Sequence, residues 1–208
     1  MTAANIHAHL AGGDGVEVLL TAHYDGDGDD PGQRLPAASD NATGVAVVLE
    51  VARLLSRHPV PDLRLQVALL DGEEVGATGS AHHAAQLAAA GAAPLVINVD
   101  GAGHLTDGVA VEAGGPADAL LQALDQAGRQ IGVPLRAGAM ASDNRRYAAA
   151  GLAAVGVGAG MPGYHTPADT PDRVDAHTLT TMARLVLATV WQLAALPARV
   201  PSLIGDRR

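Results

Sequence analysis

Short runs of β-branched and leucine residues alternate along this chain with longer alanine- and leucine-rich segments of helical periodicity. Such alternation is typical of α/β domains, in which helices connect the strands of a largely parallel sheet. The strands are predicted at Asn5–Leu10, Val16–His23, Leu63–Leu70, Leu95–Asp100, Val109–Glu112, Leu135–Ala137 and Ala153–Val157. The helices are predicted at Thr43–Arg57, Ser80–Ala90, Ala117–Ile131, Asn144–Ala150 and His177–Leu196, followed by an irregular tail after Pro197.

Length and charge limit the classes of protein to which the chain can belong. A chain of 208 residues can form one sizeable core and is short for two, so we predict a single domain over residues 1–208. The net charge of −9 and the absence of basic clusters disfavour a nucleic-acid partner. Because there is no cysteine, any zinc ion must be bound by histidine and carboxylate.

The compartment is predicted from the start of the chain and from its apolar segments. No stretch is apolar over the length of a transmembrane helix, and the first residues lack the basic and apolar regions of a signal peptide. As the sequence stands we expect a soluble cytoplasmic protein with no membrane partner. A missing N-terminal segment would instead predict secretion.

Imidazole and carboxylate groups follow the predicted strands at the points where they end. His23 ends one strand, Asp71–Glu74 follow another and Asp100 ends a third. Ligands of open α/β sheets gather at the carboxyl ends of strands. A single acidic residue there is more often a helix cap and a single histidine is more often structural, so only their combination indicates a site.

Two adjacent glutamates, Glu73 and Glu74, diverge from one turn. One can bind metal while the other transfers protons, which metal-assisted hydrolysis requires, although a capping pair before the next helix is equally consistent. Asp25 lies two residues after His23, where its carboxylate could accept the second imidazole N–H. The alternative for Asp25 is an ordinary polar loop.

Six segments, AHYDG, SDNATG, LLDGEEVG, INVDG, SDN and YHTPADT, occur in an order that resembles the co-catalytic zinc peptidases. That family includes bacterial leucyl-type aminopeptidases, glutamate carboxypeptidases and glutaminyl cyclases, and the resemblance runs from about Asn5 to Asp175. It implies a three-layer sandwich with a mixed, mostly parallel sheet and helices on both faces. It also implies two zinc ions per chain, with manganese or cobalt as alternatives.

Carried over residue by residue, the resemblance implies that one ion is bound by His23, Asp40 and Asp100. The other would be bound by Asp40, Glu74 and His165. Asp40 would therefore bridge the two ions.

The resemblance further implies that Glu73 is the general base and that Tyr164 donates a hydrogen bond to the oxyanion, although a tyrosine packed against the sheet edge is equally consistent. A cis bond is implied after Asp40. One segment departs from the family, because Asn144 stands where a histidine is common, so Asp143 and Asn144 are assigned to a wall of the substrate pocket. The other histidines, among them His7, His9 and His83, are assigned no role.

The function expected from these residues is removal of the N-terminal residue from a peptide or small amide. The alternatives are an acyl transferase of the glutaminyl cyclase type and a non-catalytic domain of the same fold. Family members usually have a further helix and edge strand before the first strand predicted here, so the resemblance leaves open a chain truncated at its N terminus. An uncovered edge strand could pair two copies, which leaves a monomer and a weak homodimer as alternatives.

Overall fold

Strand β2 (Val16–His23) is buried on both of its faces in the computed structural model, which describes residues 4–10 and 15–195. Because successive side chains of a strand point to opposite faces, Val18 and Leu20 belong to one hydrophobic core and Leu19 to another. Each core is covered by helices. The strand therefore lies in the middle layer of a sandwich.

The remaining elements have the following bounds. The other strands are β1 (Ile6–Leu10), β3 (Asp29–Asp30), β4 (Gln33–Arg34), β5 (Leu63–Leu70), β6 (Leu95–Val99), β7 (Val109–Gly114), β8 (Leu135–Ala137) and β9 (Ala154–Gly158). The α-helices are α1 (Thr43–Arg57), α2 (Thr78–Ala89), α3 (Asp118–Ile131), α4 (Asn144–Ala149) and α5 (Ala176–Ala195).

Seven strands form one sheet in the order β1-β5-β2-β6-β9-β7-β8. The four central strands β5, β2, β6 and β9 are parallel to one another. Strand β1 is antiparallel to β5, and β7 is antiparallel to β9 but parallel to β8. The mixed, mostly parallel sheet predicted above is confirmed. Strand β1 lies at the sheet edge, and pairing of two copies there stays a prediction.

Helices cover both faces of the sheet, as predicted. Helices α1, α3 and α5 contribute the side chains of the larger core, including Val47, Leu120 and Leu185. Helices α2 and α4 cover the opposite face with Leu87 and Tyr147. No helix in the described part of the chain is long and apolar enough to cross a membrane.

The predicted elements differ from the observed ones mainly at their ends, by one or two residues. The sequence did not predict the two-residue strands β3 and β4, which form a small hairpin in the acidic, glycine-rich loop after β2. It also did not predict the kinked turn Ala38–Ala42 that precedes α1, in which Asp40 and Asn41 have non-helical backbone angles. The tail after Pro197 lies outside the described residues.

Helix α2 buries one histidine against the sheet. The Nδ1 atom of His83 lies 2.9 Å from the Tyr147 hydroxyl, and the His7 ring packs edge-on against His83 with a centroid distance of 4.4 Å. Burial, and then the nearby charges of His7, His82 and His9, lower the pKa of His83 to about 4. His83 is therefore neutral in the folded protein over a pH range in which a free histidine is charged.

This burial predicts an acid sensitivity. The unfolded chain binds a proton at His83 near pH 6.5 and the folded protein only near pH 4, so acid favours the unfolded state between these values. We expect the free energy of unfolding, measured by urea titration, to fall less steeply over this range in His83→Gln than in the wild type. The exposed neighbour variant His82→Gln should follow the wild type. Equal slopes for all three proteins would contradict the prediction.

Candidate metal centre

The topology brings the predicted site residues to one edge of the sheet. The parallel strands β2, β5, β6 and β9 have their carboxyl ends at this edge. His23 is the last residue of β2, Glu73 and Glu74 lie in the turn after β5, and Asp100 follows β6 directly. The loop after β9 carries His165.

Asp40 lies between the two histidines. Its Oδ1 atom is 3.2 Å from Nε2 of His23, and its Oδ2 atom is 3.1 Å from Nε2 of His165. Asp100 Oδ1 is 3.4 Å from the same nitrogen of His23, and Glu74 Oε2 is 3.1 Å from that of His165. Each oxygen of Asp40 therefore faces a separate imidazole–carboxylate pair. The assignment of these residues to two ions stays a prediction.

Glu74 belongs to two groups of side chains that are close enough together to hold a metal ion. His23, Asp40 and Glu74 each offer one ligand atom, and these atoms lie within 4.8 Å of one another. A second group of the same dimension consists of Asp27, Glu74 and His165. Asp27 lies in the acidic loop after β2, and no pattern in the sequence distinguishes it from the other aspartates of that loop.

The charged groups of this centre are buried, and its carboxylates outnumber the imidazoles that they face. His23, Asp40 and Asp100 are 1%, 4% and 5% exposed. In the described part of the chain these carboxylates pair with imidazoles and with no arginine, and Glu74 Oε1 is buried without a hydrogen-bond partner. Burying carboxylates is costly unless a cation compensates them. The donor set therefore fits divalent metal ions.

The pKa shifts at this centre also reflect its buried, closely spaced carboxylates. Burial, and then the charge of Asp40, raise the pKa of Glu74 to about 8. Burial lowers the pKa of His23, but hydrogen bonds to Asp100, Asp25 and Asp40 outweigh it and raise this pKa well above its ordinary value. The surroundings thus favour a positive charge at the imidazole nitrogen, which either a proton or a metal ion supplies.

The segment around Asp40 is fixed by a residue that the sequence analysis quoted but did not assign. The buried carboxylate of Asp169 accepts hydrogen bonds from the backbone amides of Ser39 at 2.6 Å and Asp40 at 3.1 Å. In the sequence, Asp169 could have been recognised from its position four residues after His165, within the segment YHTPADT. The peptide bond between Asp40 and Asn41 is cis, as the resemblance implied.

Asn41 ties this segment to the end of β6. Its amide donates to the Val99 carbonyl at 3.0 Å, and its Oδ1 accepts from the backbone amides of Gly44 and Gly101, each at 3.0 Å. Gly44 packs so closely that a Cβ there would overlap the Asn41 side chain. Asp40 and Asp100, which follow different elements, are thereby held in fixed relative positions.

Asp25 ties the end of β2 to the turn after β5. Its carboxylate accepts hydrogen bonds from the amides of Glu73 at 3.1 Å and Glu74 at 3.2 Å. The Asp25 backbone carbonyl lies 3.2 Å from Nδ1 of His23, whereas its carboxylate Oδ1 lies 3.5 Å away. The carbonyl is thus the nearer of the two acceptors, and the predicted role of the Asp25 carboxylate toward His23 stays a prediction.

Glu73 and Tyr164 adjoin the centre without belonging to the imidazole–carboxylate pairs. Glu73 is half-buried, and burial raises its pKa to about 7. The Tyr164 ring stacks on His165, with a centroid distance of 3.7 Å and an interplanar angle of 22°, and is 54% exposed. The ring thus lies against the imidazole rather than against the sheet edge.

Asp143 and Asn144 are buried, and the assignment of their loop to a wall of the substrate pocket stays a prediction. Next to them, Ser142 accepts a hydrogen bond from Asn98 at 3.0 Å, and Asn98 accepts one from Thr21 at 2.7 Å. This chain of polar groups fixes the loop beneath the centre. Burial raises the pKa of Asp143 to about 6.

The chain matches the model of a known protein family over most of its length. The family model described as peptidase family M28 matches residues 5–190, and the chain therefore belongs to peptidase family M28. The resemblance noted from the six sequence segments is confirmed.

Solved structures agree in fold. A zinc aminopeptidase from Bacillus subtilis is 25% identical, with a TM-score of 0.75, over 90% of this chain and 49% of that chain. An aminopeptidase from Aneurinibacillus sp. strain AM-1 is 25% identical, with a TM-score of 0.77, over 98% and 50% of the two chains. A glutaminyl cyclase from an Acidobacteriales bacterium, 20% identical with a TM-score of 0.74 over 92% and 74% of the chains, shares the fold.

The chain is shorter than these aminopeptidases. It spans about half of the length of the two aminopeptidase structures. Curated relatives match it over segments that make up 28% and 13% of their own lengths.

The support of Asp40 by Asp169 gives a testable prediction. In Asp169→Ala the buried amides of Ser39 and Asp40 lose their acceptor, which costs about 1–3 kcal/mol for each unsatisfied group. We expect the free energy of unfolding, measured by urea denaturation, to fall by at least the cost of one such group, about 1–3 kcal/mol. The exposed Asp172→Ala should change it by no more than about 0.5 kcal/mol. Similar values for the two variants would show that Asp169 does not support the segment.

Proposed function

We propose that this chain is a single catalytic domain that hydrolyses N-terminal peptide bonds as a zinc-dependent aminopeptidase. The observation that carries the proposal is the position of Asp40, whose two carboxylate oxygens face separate imidazole–carboxylate pairs at 3.1 and 3.2 Å. Membership of peptidase family M28 and the likeness to aminopeptidase structures support the same activity.

Two zinc ions per chain are part of this proposal. His23, Asp40 and Asp100 would hold one ion, and Asp40, Glu74 and His165 the other. Two imidazoles and three carboxylates without a thiolate suit zinc, and manganese and cobalt accept similar donors. When bound, the ions would lower the pKa of a water molecule and polarise the carbonyl of the scissile bond.

Glu73 is the proposed general base. It lies beside the ligand Glu74 but outside both ligand sets, and Asp25 holds its backbone amide at 3.1 Å. The Glu73 carboxylate would take a proton from the attacking water as the new C–O bond forms. It would return that proton to the amine nitrogen as the C–N bond breaks.

Tyr164 is the proposed donor to the oxygen of the tetrahedral intermediate. Its ring is fixed by stacking on His165, and its exposure leaves the hydroxyl accessible to a substrate. A pre-oriented donor at the developing negative charge is a large contribution to catalysis of acyl transfer. The partner proposed for this centre is accordingly a peptide or small amide with a free N terminus.

The alternatives explain fewer of these residues. A cyclase of the glutaminyl type, which in this family uses one metal ion, leaves the pair formed by His23 and Asp100 without a role. A non-catalytic domain leaves Glu73 without one. Both are therefore less well supported than the peptidase.

The activity can be tested with a panel of aminoacyl nitroanilides. We expect release of nitroaniline from substrates with a free amino group, loss of activity with a chelator and recovery on addition of zinc. N-acetylated substrates serve as the matched control and should not be cleaved. Formation of pyroglutamate from N-terminal glutamine without any amide hydrolysis would contradict the proposal and favour the cyclase.

The role of Glu73 gives a sharper prediction. Glu73→Gln preserves the shape but removes the proton acceptor, so we expect kcat/KM to fall by about 10²–10⁴-fold, the usual contribution of a general base. Zinc content, measured by elemental analysis, should stay unchanged. The surface variant Glu50→Gln is the control and should keep wild-type activity. A Glu73→Gln enzyme with the wild-type rate would remove Glu73 from the mechanism.

A further inference from the structure

The two histidines of the centre are held in very different ways. His23 lies at the end of the buried strand β2 and is 1% exposed. The side chain of His165 is 36% exposed and lies in the loop after β9. A ligand in an exposed loop needs contacts of its own to keep its ring in one orientation.

Asp27 supplies such a contact. Nε2 of His165 faces Asp40 and Glu74, both at 3.1 Å, while Nδ1 lies 3.4 Å from Oδ2 of Asp27. An imidazole that binds metal through Nε2 carries its proton on Nδ1. Among the described residues, Asp27 is the acid within 4 Å of that nitrogen.

We propose that Asp27 is a positioning residue, which accepts a hydrogen bond from Nδ1–H of His165 and thereby directs Nε2 toward Asp40 and Glu74. This inference rests on the proposed zinc centre. Carboxylates that accept from the second nitrogen of a metal-binding histidine fix its tautomer and raise its basicity, and their loss typically weakens metal binding 10–100-fold.

Stacking and hydrogen bonding restrict His165 in different directions. Tyr164 covers one face of the ring at 3.7 Å, and a rotation of the ring by 180° about its Cβ–Cγ bond would keep this stacking. A hydrogen bond at the Nδ1 edge removes that rotation. The two contacts together fix the position of Nε2.

The alternative role for Asp27 is direct metal binding, because Asp27, Glu74 and His165 offer ligand atoms within 4.8 Å of one another. The positions favour the hydrogen bond. Asp27 approaches the nitrogen opposite to the one that faces Asp40 and Glu74. Its side chain is 31% exposed, whereas Asp40 and Asp100 are almost fully buried.

Zinc titration against a chromophoric chelator tests the proposal without recourse to activity. In Asp27→Ala we expect one of the two zinc ions to bind about 10–100-fold more weakly. Asp27→Asn keeps an oxygen acceptor and should lie between Asp27→Ala and the wild type. Asp30→Ala removes the same charge from the same exposed loop and should bind both ions as the wild type does. Unchanged zinc affinity in Asp27→Ala would overturn the inference.

Histidine ¹⁵N NMR of the zinc-loaded protein separates the hydrogen bond from direct binding. We expect a protected Nδ1 proton on His165 in the wild type that exchanges rapidly with water in Asp27→Ala. Direct binding would leave this proton unchanged and make Asp27→Asn as defective as Asp27→Ala, which would also overturn the inference. Weaker zinc binding in Asp27→Ala, together with a wild type that has no peptidase activity, would contradict the proposed function but not the role of Asp27. A wild type that binds no zinc would contradict both the proposed function and the role of Asp27.

Discussion

Several carboxylates with too few cations among them are buried at one edge of the sheet, and the rest of the site depends on this constraint. Asp40, Asp100 and Glu74 face only two imidazoles, and in the described part of the chain no arginine pairs with them. A folded chain can keep such a group together when backbone amides and metal ions compensate the charge. Backbone amides bind the neighbouring carboxylates of Asp169 and Asp25, and the proposed zinc ions would supply the positive charge that Asp40, Asp100 and Glu74 require.

The amide contacts come from several elements and converge on few residues. The Asp169 carboxylate accepts hydrogen bonds from the backbone amides of Ser39 and Asp40, and that of Asp25 accepts from those of Glu73 and Glu74. Two carboxylates outside the proposed ligand sets therefore hold the backbone at, and next to, the proposed ligands Asp40 and Glu74. This arrangement explains how loops after separate strands can present side chains with fixed spacing.

The sequence predicted those parts of the structure that depend on periodicity. Strand β2 and helix α1 have the predicted bounds, because a short run of apolar residues indicates a buried strand and apolar residues at every third to fourth position indicate a helix. The hairpin β3–β4 was missed, since its aspartates and glycine have low strand propensity and only two residues pair on each side. The five expected ligands lie together because parallel strands share one carboxyl edge.

Contacts between residues far apart in the chain could not be predicted in the same way. Asp169 lies 129 residues after Asp40, and no local pattern distinguishes an aspartate that binds a backbone amide from one in solvent. Asp27 stands in an acidic run that reads as a solvated loop, and only the fold brings it to His165. The Asp25 carboxylate, which was expected to contact His23, also accepts a hydrogen bond from the backbone of the glutamate turn, a contact that no local pattern indicated.

The central claim is that Asp40 is shared by two metal ions. The most direct test is the zinc content, by elemental analysis after dialysis, of the wild type, Asp40→Ala and Asp100→Ala. The account predicts two zinc ions per chain in the wild type, one in Asp100→Ala and loss of both in Asp40→Ala, because only Asp40 belongs to both sets. A wild type with a single zinc ion, or an Asp40→Ala variant that retains one at full occupancy, would contradict it.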